Sequence, residues 1–215
     1  TTPYDVQKRR NVNNHITRPQ IVARLSENGI PFGIVPLQNG VSLVLCQRAG
    51  RIYGPFLSDD GESLFWTPAE FADAPAFGAF LESANWNVGG DRLWIAPELQ
   101  YNLAGPPAAM DPGNWTLEQP GAAEWRLWQD ATLDAHNLAT GTKTLRLERR
   151  LRPAANPLRY LPDAGGVAGA LRYAGYQQEV TLSESAHDAI LSEAWSLIQL
   201  NPGGELLIAA SPNAQ

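Results

Sequence analysis

The chain has 215 residues, 44% of them hydrophobic and 18% charged, with a net charge of −6. That is enough length for one large β domain around a single core, and the acidic balance gives no general electrostatic footprint for nucleic acid. The single cysteine, Cys46, excludes an internal disulfide, and its apolar setting in Val41-Ser42-Leu43-Val44-Leu45 predicts a buried, inert thiol.

Residues 1–29 read as an N-terminal extended arm, carrying the basic triplet Lys8-Arg9-Arg10, a surface His15, and a short helical turn or edge strand at Ile21–Leu25. The Asn28-Gly29 turn closes the arm, and residues 30–215 read as one β domain. Phe32–Leu37, Val41–Gln47 and Arg51–Leu57 are short apolar segments, and Asn39-Gly40 between the first two is a hairpin signal of type I′. Leu64-Phe65-Trp66 reads as a short buried strand. Thr67-Pro68-Ala69-Glu70 has the pattern of a capped helix start, which predicts a helix over Phe71–Ala84 with a break near Pro75.

The segment Asn87-Val88-Gly89-Gly90-Asp91-Arg92-Leu93-Trp94-Ile95-Ala96-Pro97-Glu98 joins two permissive glycines to an acid, a guanidinium, an indole and a second carboxylate. Planar stacking surface beside fixed donors and acceptors suits a sugar, which offers an apolar ring face and a rim of hydroxyls. The same residues also read as a glycine-rich turn into a strand with Trp94 in the core. Trp66 and Trp86 are the neighbouring stacking candidates. Residues 102–123 and 156–169, rich in Pro, Gly and Ala, read as surface excursions. Trp125–Ala131, Leu145–Leu151, Tyr176–Leu182 and Trp195–Leu200 have the character of strands, the first two alternating wet and buried positions, and Leu206–Ala210 is apolar after the Pro202-Gly203-Gly204 turn. Many short strands and one clear helix predict an all-β, mainly antiparallel sandwich.

Gly89-Gly90-Asp91-Arg92-Leu93-Trp94-Ile95-Ala96-Pro97-Glu98 resembles the GG-x-[RK]-LW-x-AP-E signature of galactose-mutarotase-like proteins, in particular their aldose-epimerase-related branches. Three further stretches resemble that family in the same order. They are Ala49-Gly50-Arg51-Ile52-Tyr53-Gly54 leading to Leu64-Phe65-Trp66, Thr140-Gly141 followed by Leu145–Arg150, and Ala194–Leu200 with Pro202-Gly203-Gly204. The resemblance covers roughly residues 30–210 and implies a supersandwich fold and a carbohydrate ligand. It places Arg51, Asp91, Arg92, Trp94 and Glu98 as substrate-binding residues. Such enzymes open a sugar ring with a carboxylate base and a histidine acid, for which His136, His187 and Glu98 are the weak catalytic candidates.

The family's late strands and their carboxylate have no counterpart here, so the resemblance implies a shortened or truncated sandwich with one short helix. Its open sheet edges then need a cover: a second chain, a homo-oligomer or the N-terminal arm. The expectation is therefore carbohydrate binding with little or no turnover, with a cofactor-free aldose 1-epimerase-like isomerase and a polysaccharide lyase or hydrolase-like sandwich as alternatives. No metal-ligand spacing, nucleotide motif, signal peptide or transmembrane stretch is visible, so no cofactor and no nucleic-acid or membrane partner is expected. A secreted, periplasmic or cytoplasmic location is equally open.

Overall fold

A computed structural model describes residues 15–83, 85–97, 106–134, 142–160, 165–184 and 192–207. Their elements are α1 (Arg18–Glu27), β1 (Phe32–Pro36), β2 (Ser42–Cys46), β3 (Arg51–Phe56), α2 (Ala74–Glu82), β4 (Asp91–Ala96), β5 (Thr116–Gly121), β6 (Glu124–Asp134), β7 (Thr142–Pro153), α3 (Gly165–Ala170), β8 (Tyr176–Glu184) and β9 (Glu193–Ile198). They form two sheets, one of five strands in the order β1-β2-β3-β4-β9 and one of four in the order β5-β6-β7-β8. Every strand pair is antiparallel. The architecture is an all-β sandwich.

The β1–β2 hairpin turns as its sequence dictates. Asn39 and Gly40 both take positive φ (57° and 74°), as the two central positions of a type I′ turn require. All five residues of β2 are buried because the strand is covered on both faces. Leu43 and Leu45 join the core between the sheets, while Val44 and Cys46 face an outer layer built from Ile21, Leu25, Phe71 and Phe77. Burial pushes the Cys46 thiol up to about 12.

Within the arm expected over residues 1–29, the helical alternative at Ile21–Leu25 holds and extends to ten residues. Residues 1–14 lie outside the described residues, and residues 18–27 are helical. Thr17 is the N-cap of α1: its backbone N–H and its hydroxyl both donate to Gln20 Oε1, at 2.9 and 3.1 Å. Ile21 and Leu25, four residues apart, then share one face and are buried.

The helix expected over Phe71–Ala84 is also redrawn. A 3₁₀ turn spans Ala69–Ala72, and α2 begins afresh at Ala74 behind its N-cap Asp73, whose Oδ2 accepts from the Ala76 N–H at 2.8 Å. Pro75 is the reason: it lacks an N–H and is tolerated only in a first helical turn. Leu64–Trp66 is not a strand; it bridges β3 to the end of β9, with Phe65 N–H donating to Gly54 O at 2.6 Å and Trp66 N–H to Gln199 O at 2.8 Å. The surface excursion expected over 102–123 is corrected as well. Met110, Asp111 and Trp115 are buried, and Thr116–Gly121 forms β5. Met110 and Trp115 pack into the core between the sheets, which draws this Pro-rich segment inward.

Among the described residues, no helix is long and apolar enough to cross a membrane. The margins of the sandwich are β1 and β9 in one sheet and β5 and β8 in the other, and Ile198 at the β9 margin is exposed.

Gly89 and Gly90 both lie hard against backbone in the motif segment, and the second of them is the one that packs on β3. Gly90 has φ +73°, and a Cβ there meets Ile52 O at 2.5 Å, whereas a Cβ on Gly40 meets nothing within 4 Å. Gly40→Ala should cost only the left-handed strain, about 1–2 kcal/mol. Gly90→Ala should cost a further ~1–3 kcal/mol for the forced backbone shift. Urea midpoints of the two variants check this; equal losses contradict the close packing at Gly90.

Candidate functional site

The Gly89-Gly90 pair, both at positive φ, feeds β4 between β3 and β9. Successive residues of a strand point to opposite faces, so Asp91 and Arg92 part company. Asp91 turns into the sandwich. Its Oδ2 accepts from Arg149 Nη2 at 2.7 Å and its Oδ1 from Ser196 Oγ at 2.9 Å. The same guanidinium donates to Gly50 O at 2.9 Å and to Gln178 Oε1 at 2.7 Å. Asp91 and Arg149 are both fully enclosed.

Arg92 lies among three indoles. Its guanidinium carbon is 4.0 Å from the Trp94 ring centroid, 4.7 Å from that of Trp86 and 5.7 Å from that of Trp195. A cation over an aromatic face is held by the ring quadrupole, more strongly when desolvated. Trp94 in turn points its Nε1–H at Asp111 Oδ2, 3.2 Å away. Arg51, with no exposed surface, donates through Nη2 to the same Asp111 oxygen at 2.5 Å and to Trp86 O at 3.2 Å. Arg51, Arg92 and Trp94 thus converge on two residues, Trp86 and Asp111.

Those two residues line a cleft of about 380 Å³, together with Arg48, Ser83, Asn85 and Pro112. Its size falls in the range of small-ligand sites. Trp86 is half-buried. Both donors to Asp111 use Oδ2, which leaves Oδ1 without a hydrogen bond among the described residues. Burial raises the Asp111 carboxyl above its ordinary value, more than Arg51, the Trp94 N–H, Arg92 and Arg48 lower it. Arg48 is half-buried, and its guanidinium makes no hydrogen bond or ion pair among the described residues.

The sequence-derived site residues are distributed unevenly around this cleft. Arg51, Arg92 and Trp94 stand behind its wall; Asp91 is spent on the far side, between the sheets. Glu98, His136 and His187 lie outside the described residues. His15 pairs with Glu62 at the surface. Among the described residues, no group of three or more His, Cys, Asp or Glu stands close enough to hold a metal ion. Sequence reasoning missed Asp111 and Arg48. A lone acid between the bulky Met110 and Trp115, in an otherwise Pro/Gly/Ala-rich stretch, was the available signal for the first.

Comparison with known family models, with curated proteins and with solved structures returns no match to this chain.

The raised Asp111 carboxyl has a stability consequence with a definite sign. The folded chain holds this proton more tightly than the unfolded chain. Asp111 therefore lowers stability as pH rises from the ordinary carboxylate value of about 3.9 through its folded pKa. A carboxyl ¹³C titration should place the Asp111 midpoint above the ordinary value; a midpoint at or below it means that the Arg51 contact outweighs burial.

Proposed function

We propose that this chain is a carbohydrate-binding protein of galactose-mutarotase-like fold, holding its sugar in the cleft in front of the Gly89–Ala96 strand with little or no turnover. The observation that carries the reading is the meeting of half-buried Trp86, an acceptor on Asp111 without a hydrogen bond among the described residues, and donors on Arg48 and Asn85 around one cleft. An indole takes the apolar face of a pyranose, and the surrounding polar groups take its hydroxyls. Arg51, Arg92 and Trp94 serve this site from behind: they fix the ring of Trp86 and one oxygen of Asp111, and leave the ligand-facing atoms free.

The four stretches that carry the family resemblance also meet. Asp91 from β4 touches Arg149 from β7 and Ser196 from β9, and Arg149 reaches Gly50 beside Arg51. Trp94 and Trp195 contact edge to face, their ring centroids 6.2 Å apart. Segments scattered over the chain and joined at one point support a shared fold plan. Binding is favoured over ring opening because an epimerase needs an acid and a base together. Among the described residues the cleft offers the single carboxyl of Asp111.

Titration calorimetry with the methyl glycosides of glucose, galactose and mannose and of glucuronic and galacturonic acid tests the proposal. At least one should bind, and Trp86→Ala should weaken it about tenfold, or 1.4 kcal/mol, as loss of a stacking face implies. The reading is overturned if none binds, or if Trp86→Ala binds as tightly as the parent.

A further inference from the structure

We infer that the cleft is one half of a longer groove that takes an acidic oligosaccharide, with Arg48 seated between two consecutive sugar units. This rests on the carbohydrate reading above and extends it in ligand length and charge. A second depression of about 200 Å³ lies against the first, lined by Gln47, Asn114 and Trp115 among others. The two share Arg48 and Pro112 as a common wall.

That wall is a fixed feature. The turn Arg48–Gly50 is tied down where Ala49 N–H donates to Pro112 O at 2.9 Å. Gly50, at φ +56°, lies so close to the Trp115 ring that a Cβ there meets it at 2.6 Å. The backbone of the saddle is therefore held in place, and the ordering cost of binding falls on the Arg48 side chain. The second depression also holds unspent polar capacity. Asn114 is exposed, and its side-chain amide makes no hydrogen bond among the described residues.

Charge selects the ligand. Among the described residues, the charged groups lining the two depressions are Arg48 and Asp111. Asp111 already has a buried counterion in Arg51, so Arg48 remains as an uncompensated cation at the saddle. A planar guanidinium with free donors matches a carboxylate bidentately. On a chain of net charge −6, a cation left unpaired inside a groove is a local preference for an acidic partner. A disaccharide with one unit in each depression and a uronate carboxylate on Arg48 satisfies both observations.

The test uses mono- and disaccharides of galacturonate, glucuronate and mannuronate, each beside its neutral disaccharide, titrated into the parent chain. At least one uronate disaccharide should bind tenfold or more tighter than its monomer and than its neutral counterpart. Asn114→Trp, which fills the second depression, should erase the gain from length and leave monomer affinity unchanged. Arg48→Gln should erase the preference for the acid. If a monomer binds as tightly as its dimer, or a neutral dimer as tightly as the acidic one, the groove inference falls while carbohydrate binding stands. If none of the sugars binds, both readings fall. The comparisons of length and charge need only the parent chain, so a variant that fails to fold leaves the outcome decided.

Discussion

Arg149 crosses the sandwich, and the positions of the strands that matter follow from where it lands. From β7 in the four-stranded sheet it reaches Asp91 on β4 and Gly50 before β3, and it draws in Gln178 from its own neighbour β8. Asp91 extends the network to Ser196 on β9. A buried ion pair contributes little net stability, because desolvation offsets most of the attraction, but a partner removed leaves a charge stranded at several kcal/mol. Such a pair acts as a register device. A slip of β4 by one residue would turn Asp91 away from Arg149 and Leu93 out of the core together.

With β4 fixed, the cleft follows by short steps. Trp94 lies two residues beyond Arg92, on its face, and both side chains back the ligand-facing layer. Arg92 wedges the indoles; Arg51 and the Trp94 N–H hold one oxygen of Asp111. The signature-like residues of the motif are thus mostly internal, and in the proposed sugar site they serve through Trp86 and Asp111. Mutating them would disturb fold and site at once. The residues to probe are those one layer further out.

Much of the fold was legible in the sequence because its cues are local. Alternation marked β6 and β7, and Asn39-Gly40 carried its own turn geometry. The run Val41–Leu45 lacked alternation because two layers cover it. The Thr17-to-Gln20 capping box is equally local and decides between the helical turn and the edge strand that Ile21–Leu25 alone leaves open. The break expected near Pro75 is there, and it sets the start of α2 at Ala74, ring sterics outweighing a plausible cap at Thr67. The site was half legible. Arg51, Arg92 and Trp94 stand out by residue type beside glycines, and they do gather. Asp111 is bound to Arg51 across 60 residues of sequence, and no periodicity or spacing announces a contact of that range. A Pro/Gly/Ala-rich composition argued for a loop over the surface, whereas Met110 and Trp115 anchor that segment in the core.

The most direct measurement is the indole region of a ¹H–¹⁵N spectrum recorded while a bound sugar is titrated in. Trp86 lines the cleft, whereas Trp128 lies under Arg126 and Arg146 on the four-stranded sheet, away from it. The Trp86 resonance should move with ligand concentration while that of Trp128 stays still. Movement of Trp128 with Trp86 unchanged would place the ligand on the opposite sheet and rule out the cleft.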